Sequence, residues 1–175
     1  MGRSSSRQIH QDEKKVLDVL QTEAKESIDV IAKKCKFSHQ KVWRIIKKLE
    51  REKVIWGYSA VVDDEYSERK HFIMLMKRTT KPLDDKVLNE IMNTQLDDLL
   101  PPGQIRIENI EYVHGCVDGI FTFQADSIVT AKRFVERFND RFQGYASELQ
   151  LLETIVPIRR QGIRNPRIKE VIQYL

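Results

Sequence analysis

Apolar residues recur along the chain with two different periods, and the change of period divides it. From Asp12 to Thr22, Val16, Leu17 and Leu20 fall on one side, which predicts a short helix fading into a polar stretch. Ser27 offers the hydroxyl of an N-cap. Ile28, Ile31, Ala32 and Cys35 come next at i, i+3, i+4 and i+7, a second helix with one buried stripe that takes Cys35 into a core as a small hydrophobe. Lys36-Phe37-Ser38 leads to a third helix, capped by Ser38 and reaching about Glu52, with Val42, Ile45, Ile46 and Leu49 as its stripe. Two short helices, a three-residue turn and a third helix match helix-turn-helix spacing. Val54 to Val62 is β-branched and aromatic with one glycine, so a strand is expected there, giving the winged variant.

Past a polar stretch, Asp63–Lys70, the pattern changes. Phe72 to Met76 reads as a strand buried on both faces. Pro82 suits a first helical turn ahead of Leu88, Ile91, Met92, Leu96 and Leu99, and Pro101-Pro102-Gly103 stops that helix. Ile105 and Ile107, then Ile110, Tyr112 and Val113, read as a strand with a bulge between the two sets. His114–Gly119 is a turn, and Ile120–Phe123 is the next strand. Asp126 is expected to cap a helix carrying Ile128, Ala131, Phe134, Val135, Phe138 and Phe142. Gly144 ends it, and Leu149–Ile158 is the last strand. This β-α-β-β-α-β order is the split pattern of a ferredoxin-like domain, with one sheet face left open for a second copy. Asn165-Pro166 then opens a tail helix striped by Ile168, Val171, Ile172 and Leu175.

The expected class is α+β. Residues 1–9 form a flexible leader and 10–62 a winged helix-turn-helix. A linker at 63–70 joins it to a ferredoxin-like assembly and effector domain at 71–160, and 161–175 is a C-terminal amphipathic helix.

Composition narrows the picture. With 175 residues, 41% hydrophobic, seven Gly, five Pro and two Cys, the chain is neither disordered, collagenous nor a disulfide scaffold. No apolar run approaches the ~20 residues of a membrane span. The polar start carries no secretory signal, so a cytoplasmic protein without membrane contact is expected. Cys35 and Cys116 stand alone, and neither a metal site nor a cofactor is signalled.

Charge adds the functional clue. Residues 71–175 balance at 14 basic and 14 acidic, whereas 1–70 hold 16 basic against 12 acidic. Lys33–Lys53 alone carries nine cations against Glu50 and Glu52. On the third helix Gln40, Lys41, Arg44, Lys47, Lys48 and Arg51 project opposite the apolar stripe. A concentrated basic face points to a polyanion, here double-stranded DNA, with the helix in the major groove. Ser38, His39, Gln40, Lys41, Arg44, Lys47, Lys48 and Arg51 are the candidate contacts. Gln40 suits adenine, Arg44 suits guanine, and the lysines suit phosphates. Trp43 lies on the boundary of this face.

Two stretches carry a resemblance. Ser38–Tyr58, SHQKVWRIIKKLEREKVIWGY, and the turn His114-Gly115-Cys116-Val117-Asp118-Gly119 resemble the Lrp/AsnC, or feast/famine, family of transcriptional regulators over roughly residues 10–160. The resemblance implies a DNA-binding regulator working as a homodimer or higher homo-oligomer. It also implies an effector, often an amino acid, at the turn of His114, Gly115 and Asp118. The family often has Gly where Lys36 and Lys53 stand. A left-handed Lys costs about 1 kcal/mol, so turns built differently are expected here.

Two other classes compete. A sensor or enzyme on the same scaffold, such as the family's tetrapyrrole decarboxylases, has only His114, Cys116 and Asp118 to recommend it. Those residues share one side of a turn without converging on a point, so no catalytic residue is assigned. Non-specific DNA compaction is the third reading.

Overall fold

The computed structural model describes residues 6–171 and 173. Its backbone falls into two compact units, one running up to Val61 and including Ile158–Ile168, the other formed by Val62–Pro157 with the chain from Lys169.

In the first unit α1 (Ser6–Glu23), α2 (Ile28–Cys35) and α3 (His39–Arg51) enclose Val16, Leu20, Ile31, Ala32, Cys35, Val42 and Ile46. Helix α1 starts earlier than the periodicity suggests, so the expected leader is helical from Ser6 to Ile9; residues 1–5 lie outside the described chain. Ser27 and Ser38 are the N-caps of α2 and α3, accepting from the Val30 and Lys41 amides. Burial pushes the Cys35 thiol pKa up, as suits a core residue.

The expectation of differently built turns is overturned. Lys36 sits at φ 57° and Lys53 at φ 59°, both left-handed. After each comes an amide reaching five residues back, Phe37 N–H to Ala32 O and Val54 N–H to Leu49 O, both at 2.9 Å. These six-to-one bonds satisfy carbonyls that a helix end otherwise orphans, so the bonding outweighs the strain of a β-carbon.

The strand expected over Val54–Val62 does not form. That segment lies outside both sheets and leaves Val54, Trp56, Tyr58 and Val62 exposed. A strand needs a neighbour for its amides and carbonyls. The chain passes instead from Val62 into a turn in which Asp63 Oδ1 accepts the Glu65 and Tyr66 amides, and among the described residues no strand pairs with it.

The second unit is a four-stranded antiparallel sheet of β1 (Lys70–Arg78), β2 (Ile105–Tyr112), β3 (Gly119–Ala125) and β4 (Ala146–Glu153), in the order β2-β3-β1-β4. That is the split β-α-β-β-α-β arrangement. Helices α4 (Asp85–Asn93) and α5 (Ile128–Arg141) complete it. Phe72, Met74, Met76, Phe121 and Phe123 meet Phe134, Phe138 and Phe142 in the core. Ring centroids lie 4.8 Å apart for Phe123–Phe134 and 5.0 Å for Phe121–Phe138. The bulge in β2 falls between Ile107 and Asn109, where two residue sets were expected to part.

Four boundaries are corrected. Asp84, not Pro82, starts α4 by accepting the Val87 amide, and Leu96–Leu99 forms a separate 3-10 turn. Ser127 rather than Asp126 caps α5; the Asp126 carboxylate accepts from the Ser127 hydroxyl. Strand β4 ends at Glu153.

The tail differs most. Instead of one amphipathic helix over 161–175, a two-residue hairpin forms from β5 (Arg159–Arg160) and β6 (Ile163–Arg164), before a short α6 (Ile168–Val171). Gln161 and Gly162 both have positive φ, 46° and 80°, as a two-residue hairpin turn of the mirror-image type requires. Ile172 and Leu175 of the expected stripe lie outside the described residues. No helix among the described residues is long and apolar enough to cross a membrane.

Candidate nucleic-acid interface

Helix α3 sorts its side chains into three sectors. Val42 and Ile46 are buried in the core shared with the other two helices, and Leu49 is buried on the same side. At 100° per residue, Gln40, Arg44, Lys47 and Arg51 point directly away from that stripe, and all four are exposed. Lys41 and Lys48 lie on one flank, where the helix turns toward α1.

That flank is occupied by carboxylates of α1. Lys41 Nζ is 2.6 Å from Asp12 Oδ2 and Lys48 Nζ is 2.6 Å from Glu13 Oε1. The Asp12 side chain is only 8% exposed. It also accepts from Gln8 Nε2 at 3.0 Å. The Lys41 ammonium beside it holds its carboxyl below the usual carboxylate range, against the opposing effect of burial. Lys41 also lies over the Phe37 ring, 3.9 Å from its centroid. Two of the six residues expected on one basic face are therefore struts between α1 and α3, half-buried and already paired.

The other flank is also tied. His39 Nδ1 is 2.7 Å from Asp29 Oδ1 on α2. Lys47 bonds Glu50 at 2.8 Å, and the Tyr58 hydroxyl donates to the other Glu50 oxygen at 3.2 Å. Both bonds draw the Glu50 carboxyl below its ordinary pKa, the one from Lys47 the more strongly. Ser38 Oγ is spent on the cap. Arg44 meets no carboxylate among the described residues: its Nε donates only to the Gln40 carbonyl, at 3.4 Å. Trp43 stands 47% exposed at the edge.

The turn His114–Gly119 is placed by β1 and β3. Asp118 Oδ2 accepts the Arg78 amide at 2.7 Å, and its own amide donates to the Met76 carbonyl. Its carboxylate therefore closes the turn, while His114 and Gly115 face solvent. A β-carbon at Gly119 would come within 2.9 Å of Met76 Cε and 3.1 Å of Phe121 Cε2, so both side chains would have to shift. Beside the turn, Met76, Arg78, Val87, Ile110, Phe121 and Tyr145 line part of an apolar cavity of about 70 Å³. Arg78 Nε is buried without an acceptor, and its Nη2 donates to the Lys81 carbonyl. No group of three or more His, Cys, Asp or Glu capable of holding a metal occurs among the described residues.

The winged helix-turn-helix DNA-binding family matches residues 13–55, which span α1 to α3. No curated protein matches the chain. Among solved structures, an AsnC family transcriptional regulator from Agrobacterium tumefaciens covers 85% of this chain and 92% of its own, at TM-score 0.64 and 19% identity. The chain has the fold of an AsnC-type regulator. A feast or famine regulatory protein from M. tuberculosis, complexed with L-methionine, superposes over 87% of this chain and 95% of its own, at TM-score 0.63 and 13% identity. B. subtilis LrpC covers 91% and 99% at TM-score 0.56 and 18% identity. Within this AsnC-type fold, the exposed row of α3 and the turn at Asp118 are the two places where chemistry gathers.

Proposed function

We propose that the chain is a DNA-binding transcriptional regulator that acts as a homodimer or higher homo-oligomer. The observation that carries this reading is the exposed row Gln40, Arg44, Lys47 and Arg51 on a helix held rigidly by carboxylate struts. Arg44 is the base reader, matched to a guanine edge, and Gln40 is matched to adenine. Lys47 and Arg51 meet phosphates, as do Ser38 and His39 near the helix start. Lys41 and Lys48 orient the helix and contact phosphate only by leaving Asp12 and Glu13.

The open face of the sheet supports pairing. Ile73 and Leu75 of β1, Ile120 of β3 and Leu152 of β4 share it, and Leu152 is 45% exposed. A two-fold assembly sets two recognition helices about one DNA turn, ~34 Å, apart and predicts a palindromic site. With Lys47 and Arg51 as the phosphate-neutralising cations of each helix, log K against log salt has a slope of about −3.6 for a dimer from the helices alone. Anisotropy titrations of duplex DNA over a salt series test this, and a slope near zero rejects it. Arg44→Ala separates regulation from compaction. A regulator loses preference at one base pair, worth roughly 1–3 kcal/mol, whereas a compacting protein loses only affinity shared by all sequences.

A small carboxylate effector, an amino acid among them, binds beside His114, Gly115 and Asp118. Arg78 supports this, because a carboxylate would satisfy its buried, acceptor-less Nε. Calorimetry with the twenty amino acids, on wild type and Arg78→Met, tests the assignment. Equal heats from both proteins remove Arg78 from the site.

A further inference from the structure

A winged helix-turn-helix ordinarily carries its wing directly after the third helix, and here the segment after α3 is unpaired. The first unit nevertheless contains one antiparallel hairpin, β5–β6, contributed from the far end of the chain. Ile158–Ile168 belongs to the same compact unit as α1 to α3. Asn165 N–H to Ile158 O, at 3.0 Å, closes the base of this hairpin, and Gln161-Gly162 forms its tip.

Its charge is lopsided. Arg159, Arg160, Arg164, Arg167 and Lys169 fall within eleven residues that hold no Asp or Glu. Arg159 and Arg164 are directly opposite in register, both exposed, and neither meets a carboxylate among the described residues. Like charges facing each other across strands destabilise a hairpin. This one has only two residues per strand to offset that repulsion, and it needs a non-glycine residue, Gln161, in a left-handed conformation as well. A polyanion would relieve the repulsion. Within the first unit Arg159, Arg164 and Arg167 are the exposed cations of this segment.

We infer that the C-terminal hairpin is the wing of the DNA-binding unit, with Arg159 and Arg164 on the phosphates of duplex DNA. This rests on the DNA-binding reading of α3 and adds a second contact that carries affinity rather than sequence preference. Arg159 and Arg164 neutralise one phosphate each, so they contribute about 0.9 apiece to the salt slope.

The test is a salt series of anisotropy titrations with the full chain and two 30-base-pair duplexes of different sequence. Arg159→Gln/Arg164→Gln is expected to flatten the slope by about 1.8 per subunit, or about 3.6 for a dimer, which is ~4000-fold in the dimer's affinity at 0.1 M salt if binding at 1 M is unchanged. The affinity ratio between the two duplexes stays the same. Arg159→Lys/Arg164→Lys restores the slope, because phosphate accepts either cation. Lys132→Gln/Arg133→Gln, on α5 of the other unit, leaves it as in wild type. Gly162→Val keeps every charge but strains the tip, and is expected to weaken binding too. If the Gln double variant keeps the wild-type slope within 0.5, or changes it no more than the α5 variant does, the hairpin is not the wing. A wild-type slope near zero instead overturns the DNA-binding reading on which the inference stands.

Discussion

Lys41 and Arg44 are cations three residues apart on one helix, yet removing their charges should have very different consequences. Lys41→Met takes the ammonium from Asp12, whose side chain is 8% exposed and keeps only Gln8 as a side-chain donor. Stranding one partner of a fully buried pair costs about 3–5 kcal/mol. Lys41 is itself 38% exposed, so water reaches the site and the expected cost is lower, roughly 2–3 kcal/mol. Arg44→Met removes an exposed guanidinium without a carboxylate partner, and surface changes of that kind stay within ~0.5 kcal/mol. Asp12→Ala falls between, near ~1 kcal/mol, because the freed ammonium can turn to solvent.

Both tryptophans of the chain, Trp43 and Trp56, precede Val61. Urea unfolding followed by tryptophan fluorescence therefore reports the first unit within the full chain. At an m-value near ~1 kcal/mol/M, Lys41→Met lowers the midpoint by about 2–3 M and Arg44→Met barely moves it. The sign with pH is fixed by the lowered pKa of Asp12. A depressed carboxylate contributes stability that is present above its unfolded value, ~3.9, and is lost as pH falls through the folded value. The gap between wild type and Lys41→Met should begin to narrow near pH ~4 and close only below the lowered folded value, where Asp12 is neutral in both proteins. Equal midpoints for Lys41→Met and Arg44→Met at neutral pH, or a gap that does not narrow in acid, would refute the strut.

Other outcomes rest on the same geometry. Lys36→Gly and Lys53→Gly each relieve a left-handed β-carbon and should raise urea stability by about 0.5–1 kcal/mol; a loss in both would mean the lysine side chains pack in ways that offset the strain. Asp118→Ala frees the Arg78 amide and should cost roughly 1–2 kcal/mol, a drop of ~4–15 °C in the melting of the second unit by circular dichroism. An unchanged melt would mean that the carboxylate does not close the turn. Asp118→Asn keeps an oxygen acceptor and should recover most of the loss.

Much of the architecture was legible because burial enforces periodicity. The stripes of α2, α3 and α5 needed only i, i+3, i+4 and i+7 spacing, and even the bulge in β2 showed as a parity shift between Ile107 and Ile110. What failed depends on partners rather than on local pattern. Val54–Val62 has strand composition but no neighbouring strand to bond. The tail has helical spacing, yet Gln161-Gly162 turns the chain back on itself after two residues, too short a strand for alternation to register. The sequence Ile-Arg-Arg-Gln-Gly-Ile-Arg at 158–164 did hold a signal, a glycine turn flanked by cations. It was outweighed by the apolar stripe expected further along.

The same limit explains what a helical wheel leaves out of the basic face. A helical wheel places Lys41 and Lys48 with Arg44 because it records direction and not distance to other elements. Their partners, Asp12 and Glu13, are 29 and 35 residues away in sequence. Adjacent acids on α1 facing lysines spaced seven apart on α3 were the only trace of it. Once those pairs are recognised, the excess charge of 1–70 splits into two uses. Some cations fix the angle of α3, and a shorter row is left outside to meet an anion. Four positions on one helix are few to hold any polyanion against salt competition. Under the proposed DNA-binding reading, cations from elsewhere in the same unit would add to that row, and the arginine hairpin at 159–164 is the source we infer.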